Sequence, residues 1–162
     1  MRRRAGRPQL KRDPLGAGRP EIDMSRINWR RVLLGGIVAD VVWGALYAAA
    51  HPLVERHNSS GRPLLPLTPF AGAGAGVRVA LVLNGILGFA LVWQYAVIRP
   101  RFGPGVKTAA TAGIALWLVT SWVHATWVLF SGVPAGALLA PLSANLLIVV
   151  AAAIAGARFY RE

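Results

Sequence analysis

Four long apolar stretches divide this chain, and short polar or glycine- and proline-rich segments separate them. Twenty residues of α-helix span about 30 Å, the thickness of the hydrocarbon core of a bilayer. Each stretch is close to that length or longer, so the pattern predicts an all-α fold, a four-span transmembrane helix bundle with up-down topology. The predicted spans are about residues 32–50, 79–98, 108–130 and 133–157.

The second and third spans form the most regular part of this pattern. Residues 79–98 and 108–130 carry no charge, and the segment between them contains Arg99, Arg101 and Lys107 together with helix-breaking Pro and Gly. This arrangement predicts a transmembrane hairpin whose turn is held at one aqueous face. In the fourth span, Pro141 removes a helix hydrogen bond and predicts a kink.

The charges are distributed unevenly between the two sides of the predicted bundle. The chain has 18 Lys and Arg against 6 Asp and Glu, a formal net charge of +12. Ten of the cations precede the first span, three lie in the central turn and two follow the last span, whereas three belong to the other side. This positive-inside asymmetry places both termini and the central turn in the cytoplasm, and it favours membrane topology over nucleic-acid binding.

Outside the spans, two segments differ in composition from the membrane domain, residues 27–162. Residues 1–26 are rich in Arg and Pro, so they are predicted to be a disordered basic arm that attracts anionic lipid headgroups. Met24 is an alternative to Met1 as the translation start. Residues 51–76 are the longest connection. The uncharged segment 63–77 is predicted to lie at the membrane interface, with a re-entrant segment as the alternative.

Four polar residues within the spans form the candidate site: Asp40, Asn84, His124 and Asn145. A charge at mid-bilayer costs about 2.5–3.5 kcal/mol on insertion scales, so Asp40 is expected to face protein, with the other three as candidate partners. One hypothesis is a neutral Asp40 hydrogen-bonded within the bundle, and the other is a proton- or cation-coupled site. The absence of a clear ion-pair partner favours the first.

Catalytic chemistry has little support in the sequence. The chain has no Cys, and its three His are not spaced as a metal motif. No metalloprotease, nucleophile-elbow or phosphate-loop motif is present. A row on the third span indicates helix packing rather than a cofactor site: Gly113, Trp117, Thr120, His124 and Trp127. The prediction is therefore a non-enzyme without cofactor or metal.

Three parts of the chain resemble an uncharacterised family of small bacterial four-helix membrane proteins. They are residues 28–36, residues 88–93 with 98–109, and residues 155–162. The resemblance implies a multi-pass protein of the bacterial inner membrane and brings no catalytic residues. The expected role is that of an accessory or structural protein acting through helix association, with a homo-oligomer as one form. The alternative is a transport-related oligomer with a polar path near Asp40.

Overall fold

The computed structural model describes residues 27–56 and 75–160, with side chains from residue 82 onward in the second range. Its helices are α1 (Trp29–Arg56), α2 (Ala75–Phe102), α3 (Val106–Phe130) and α4 (Leu139–Phe159). Each helix contributes a stretch that is long and apolar enough to cross a membrane. For α4, this stretch includes the 3₁₀ turn before it. The described part is all helical, with no strand, which confirms the predicted all-α class and the four membrane-length helices.

Several predictions concern residues outside the described part. The basic arm with its alternative start at Met24, and residues 63–74 of the predicted interfacial segment, belong to this group. The helices themselves are longer than the apolar spans. Residues 51–56 and 75–76, predicted as connection, are helical in α1 and α2. Hydropathy marks only the part of a helix that matches the hydrocarbon core, and a helix continues beyond it into the headgroup region.

The start of α4 differs from the kinked span that Pro141 predicts. A short 3₁₀ helix, Ala135–Leu138, precedes α4, which begins at Leu139. Pro141 therefore lies in the first turn of α4, where an N–H group has no partner within that helix. The chain accommodates this proline by changing helix type before it, instead of losing a hydrogen bond in mid-helix.

Burial is concentrated in one half of the bundle, which contains the turn between α2 and α3. α1 packs mainly along α4 and α2, and α3 packs mainly along α4. We call this the packed half; it joins the N-terminal halves of α1 and α3 to the C-terminal halves of α2 and α4. Its core includes Val32, Ala39, Leu91, Val92, Ala109, Ala112, Val149 and Ala152.

The opposite half of the bundle, the open half, leaves large apolar side chains uncovered. Val41 on α1 is 67% exposed, Val82 on α2 63% and Val123 on α3 63%. On α2, all five residues from 82 to 86 are exposed within the described part. The four helices thus approach one another closely at one end only.

Glycines permit the close approach in the packed half. A Cβ atom on Gly156 would lie 2.7 Å from the backbone oxygen of Gly35, which joins α4 to α1. A Cβ atom on Gly36 would lie 3.0 Å from the Cα atom of Phe89, which joins α1 to α2. A Cβ atom on Gly113 would lie 3.1 Å from Ala153 Cβ, which joins α3 to α4. Such backbone contact gains dispersion energy that lipid does not supply as well.

The turn between α2 and α3 is tied to the helices on both sides. Gly103 and Gly105 have φ of 79° and 140°, a region that side chains other than glycine rarely adopt. The Gly105 N–H donates to the Tyr95 hydroxyl at 3.3 Å, and the Thr108 hydroxyl donates to the Gly103 carbonyl at 2.7 Å. The ring of Tyr95 meets that of Tyr160 edge-on at 6.1 Å, so the turn is also linked to the end of α4.

Candidate functional site

Asp40 lies on α1 where the packed half gives way to the open half. Its carboxylate occupies a notch on α2, because a Cβ atom on Gly88 would collide with it and one on Gly85 would lie 3.8 Å from Oδ2. The carboxylate therefore lies directly against the backbone of Gly88. Asp40 is partly buried and contacts protein through this notch.

The other three candidate residues have different surroundings. Asn84 immediately precedes Gly85 and is exposed, whereas His124 on α3 and Asn145 on α4 are partly buried. In the described part, no hydrogen bond joins any two of Asp40, His124 and Asn145. The main interfaces of α1 are with α4 and α2 rather than with α3, which carries His124. The structure therefore brings Asp40 to the Asn84–Gly88 turn and not into one hydrogen-bonded cluster of four.

The row predicted on α3 packs against α4 along only part of its length. Gly113 is buried against α4, and the Trp117 indole N–H donates to the Leu142 carbonyl at 3.0 Å. The Thr120 hydroxyl donates to the carbonyl of its own preceding turn. Beyond that point the row leaves the interface, since Trp127 is 76% exposed. The packing interpretation therefore fits the first half of the row.

The buried Ser121 hydroxyl and the acidic and imidazole side chains show no arrangement for catalysis or metal binding within the described residues. The Ser121 hydroxyl is buried and has no hydrogen-bond partner in the described part, so it does not pair with His124 three residues later. Among the described residues, no group of three or more His, Asp or Glu is arranged to hold a metal ion.

Gly44 has a setting that sequence reasoning missed. It lies one turn beyond Asp40 on α1, and a Cβ atom on it would meet no heavy atom within 4 Å. Within the described part, α1 therefore touches α2 at Gly36 and Asp40, whereas a side chain at Gly44 would have open space. The available signal was the spacing of residues 36, 40, 44 and 48, three small side chains and one acid on a single helix face.

Over the described residues, the fold and the site define a class: an all-helical arrangement with four helices of membrane-spanning length and one acid, Asp40, held at a helix–helix contact. Comparison with known proteins finds no matching family model, no similar curated protein and no similar solved structure. The role of the chain is therefore inferred from its own packing and polar groups.

Proposed function

We propose that the chain is a four-span protein of the bacterial inner membrane that acts as an accessory or structural component through helix association. The observation that carries this proposal is the unequal packing of the bundle. Gly35, Gly36 and Gly156 bring helix backbones together in the packed half, whereas a Cβ atom on Gly44 would meet nothing within 4 Å. Small and polar residues on a membrane helix are typical of contacts with another helix.

Up-down topology with both termini in the cytoplasm is part of this proposal, and the described charges support it. The packed end carries six cations: Arg30, Arg31, Arg99, Arg101, Lys107 and Arg158. The other end has Arg56 and Arg78, with Glu55 beside the first of them. Positive charge concentrates on the cytoplasmic side of membrane proteins, which supports a cytoplasmic location for the packed end. The resemblance of residues 28–36 to a bacterial family supports the inner membrane as the location.

Helix association between chains is tested on protein that is kept in its native lipid throughout purification. We expect the chain, extracted from bacterial membranes in polymer-bounded nanodiscs without detergent, to give native masses above that of a single chain. A single chain alone at every expression level, including the lowest, would contradict the proposal.

A transport-related role is the second candidate, and the setting of Asp40 favours it. This acid lies at the boundary of the open half and is only partly buried, and an ionisable group within an apolar helix is a candidate site for a small cation or proton. Proteoliposomes containing the wild-type chain should then show a pH-dependent ion flux that Asp40→Asn abolishes. Absence of flux from the wild-type chain would remove this candidate.

A further inference from the structure

We propose that the packed end of the bundle binds anionic phospholipid headgroups through a surface that we call the headgroup site. Its charged part is a set of three exposed cations, one on each of three helices: Arg30 on α1, Lys107 on α3 and Arg158 on α4. Its apolar part is the exposed residue beside each cation in the sequence: Trp29, Val106 and Phe159. The inference requires helices that span a membrane but not helix association, so it goes beyond the proposed function.

The cations of α1 and α4 lie at nearly the same depth. α1 begins at the packed end and α4 ends there, and Gly35 and Gly156 contact each other across the two helices. With a rise of 1.5 Å per residue, Arg30 lies about 7.5 Å beyond Gly35 and Arg158 about 3 Å beyond Gly156. The difference of about 5 Å is no larger than the headgroup region of one leaflet, which is about 5–7 Å thick.

The cation of α3 lies at the depth of the cation of α4. Gly113 contacts Ala153, which aligns these two helices. Lys107 lies about 9 Å beyond Gly113, and Arg158 lies about 7.5 Å beyond Ala153 in the same direction. α4 packs against both α1 and α3, so Arg158 has a cation on each neighbouring helix within one headgroup layer.

The apolar neighbours of these cations favour a lipid over a dissolved anion. Trp29 is 49% exposed, Val106 57% and Phe159 57%. Aromatic residues are enriched at the boundary between headgroups and acyl chains. There the cation can bind the phosphate while the apolar side chain contacts the glycerol region and the upper acyl chain. Inorganic phosphate would use the charges alone.

Helix polarity gives an independent reason for an anion at this surface. Arg30 and Lys107 lie in the first turns of α1 and α3, and neither first turn contains an acidic residue. A helix dipole disfavours a cation at the N-terminus of the helix and attracts an anion there. A lipid phosphate near these two residues would therefore be attracted by the side chains and by the helix ends together.

Acidic side chains do not balance the cations within the described residues. The only acids there are Asp40 and Glu55, and Asp40, the nearer one along α1, lies about 15 Å from the level of Arg30. Arg161 and Glu162, which follow in the sequence, have opposite formal charges and leave the sum unchanged. An anionic headgroup supplies the negative charge that complements this end.

Lipid selectivity of the purified full chain tests the headgroup site. Native mass spectrometry counts the lipids retained by each chain, with phosphatidylglycerol as the anionic lipid and phosphatidylethanolamine as the zwitterionic one. We expect Arg158→Gln to lower phosphatidylglycerol binding about five-fold, the contribution of one cation near an anionic surface. Arg56→Gln removes an exposed cation at the other end and should leave this binding unchanged. Equal binding by the two variants would overturn the proposal.

An aromatic substitution separates a lipid from a dissolved anion. Phe159→Ala keeps every charge, so we expect it to lower phosphatidylglycerol retention through loss of the apolar contact. Phe130→Ala is the control, because Phe130 is 86% exposed at the opposite end of the bundle. Circular dichroism should show equal helix content for both variants. Unchanged retention in Phe159→Ala, or displacement of the lipid by excess inorganic phosphate, would contradict a lipid headgroup as the ligand.

The outcomes separate this inference from the proposed function. A chain that is monomeric in nanodiscs but retains phosphatidylglycerol through Arg158 would support the headgroup site and remove helix association. A chain that associates but binds both lipids equally would overturn the headgroup site alone.

Discussion

At the scale of single residues, the room left by a missing side chain explains the helix contacts better than the polarity of the residues does. The Asp40 carboxylate fits against α2 because Gly88 has no side chain, and Gly156 lets α4 reach the backbone of α1. Both residues are visible in the sequence, but their pairing is not. Pairing depends on the rotation and register of helices that are apolar on most sides, so hydrophobic periodicity does not determine it.

Gly156→Ala should destabilise the bundle because its Cβ atom would lie 2.7 Å from Gly35 O and 2.8 Å from Val92 Cγ2. Overpacking of this kind costs about 1–3 kcal/mol. Gly136→Ala is the matched control, since its Cβ atom meets no neighbour within 4 Å. Unfolding in mixed detergent micelles, followed by circular dichroism, measures both. Equal stabilities would mean that α1 and α4 do not approach as closely as described.

At the scale of helices and turns, the sequence predicts how many helices form better than it predicts the residues at which they begin and end. Four helices follow from bilayer thickness, which sets the minimum length of each apolar run. Their ends follow from other contacts, such as the 3₁₀ turn before Leu139 or the hydrogen bonds around Gly103 and Gly105. The bond from Gly105 to Tyr95 joins the turn to α2 across ten residues, and local propensity gives no measure of such a contact.

Tyr95→Phe tests the turn between α2 and α3. Loss of the hydroxyl leaves the Gly105 N–H without this acceptor, so we expect a loss of stability of about 0.5–1.5 kcal/mol. Tyr47→Phe is the control, because the Tyr47 hydroxyl makes no hydrogen bond within the described residues. Thermal unfolding in one detergent compares the two variants. A larger loss for Tyr47→Phe would show that the turn does not depend on this bond.

At the scale of the whole molecule, the candidate site shows the limit of sequence reasoning. Asp40, Asn84, His124 and Asn145 form one predicted group because each is polar within an apolar span. The structure places His124 on α3, whereas the main neighbours of α1 are α4 and α2. The order of helices around the bundle, rather than depth along it, therefore decides which polar groups meet.

The orientation of the whole chain is tested with reporter fusions. A reporter after residue 58 should be active only when the assay requires an extracytoplasmic location, and one after residue 104 only when it requires the cytoplasm. The expectation follows from the excess of positive charge at the packed end. The reverse pattern at both sites would invert the topology, and identical activity at both would change the number of spans.

The contact between Gly35 and Gly156 also has a consequence for the order of events during synthesis. The first helix cannot meet its glycine partner until the last helix has left the ribosome. At about 5–20 residues per second, that delay is on the order of ten seconds. For this interval the Gly35 surface of α1 faces lipid or an insertion factor. A nascent chain interrupted before α4 would leave the Gly35 surface of α1 without its partner helix. Exposure of this surface therefore distinguishes incomplete chains from complete ones.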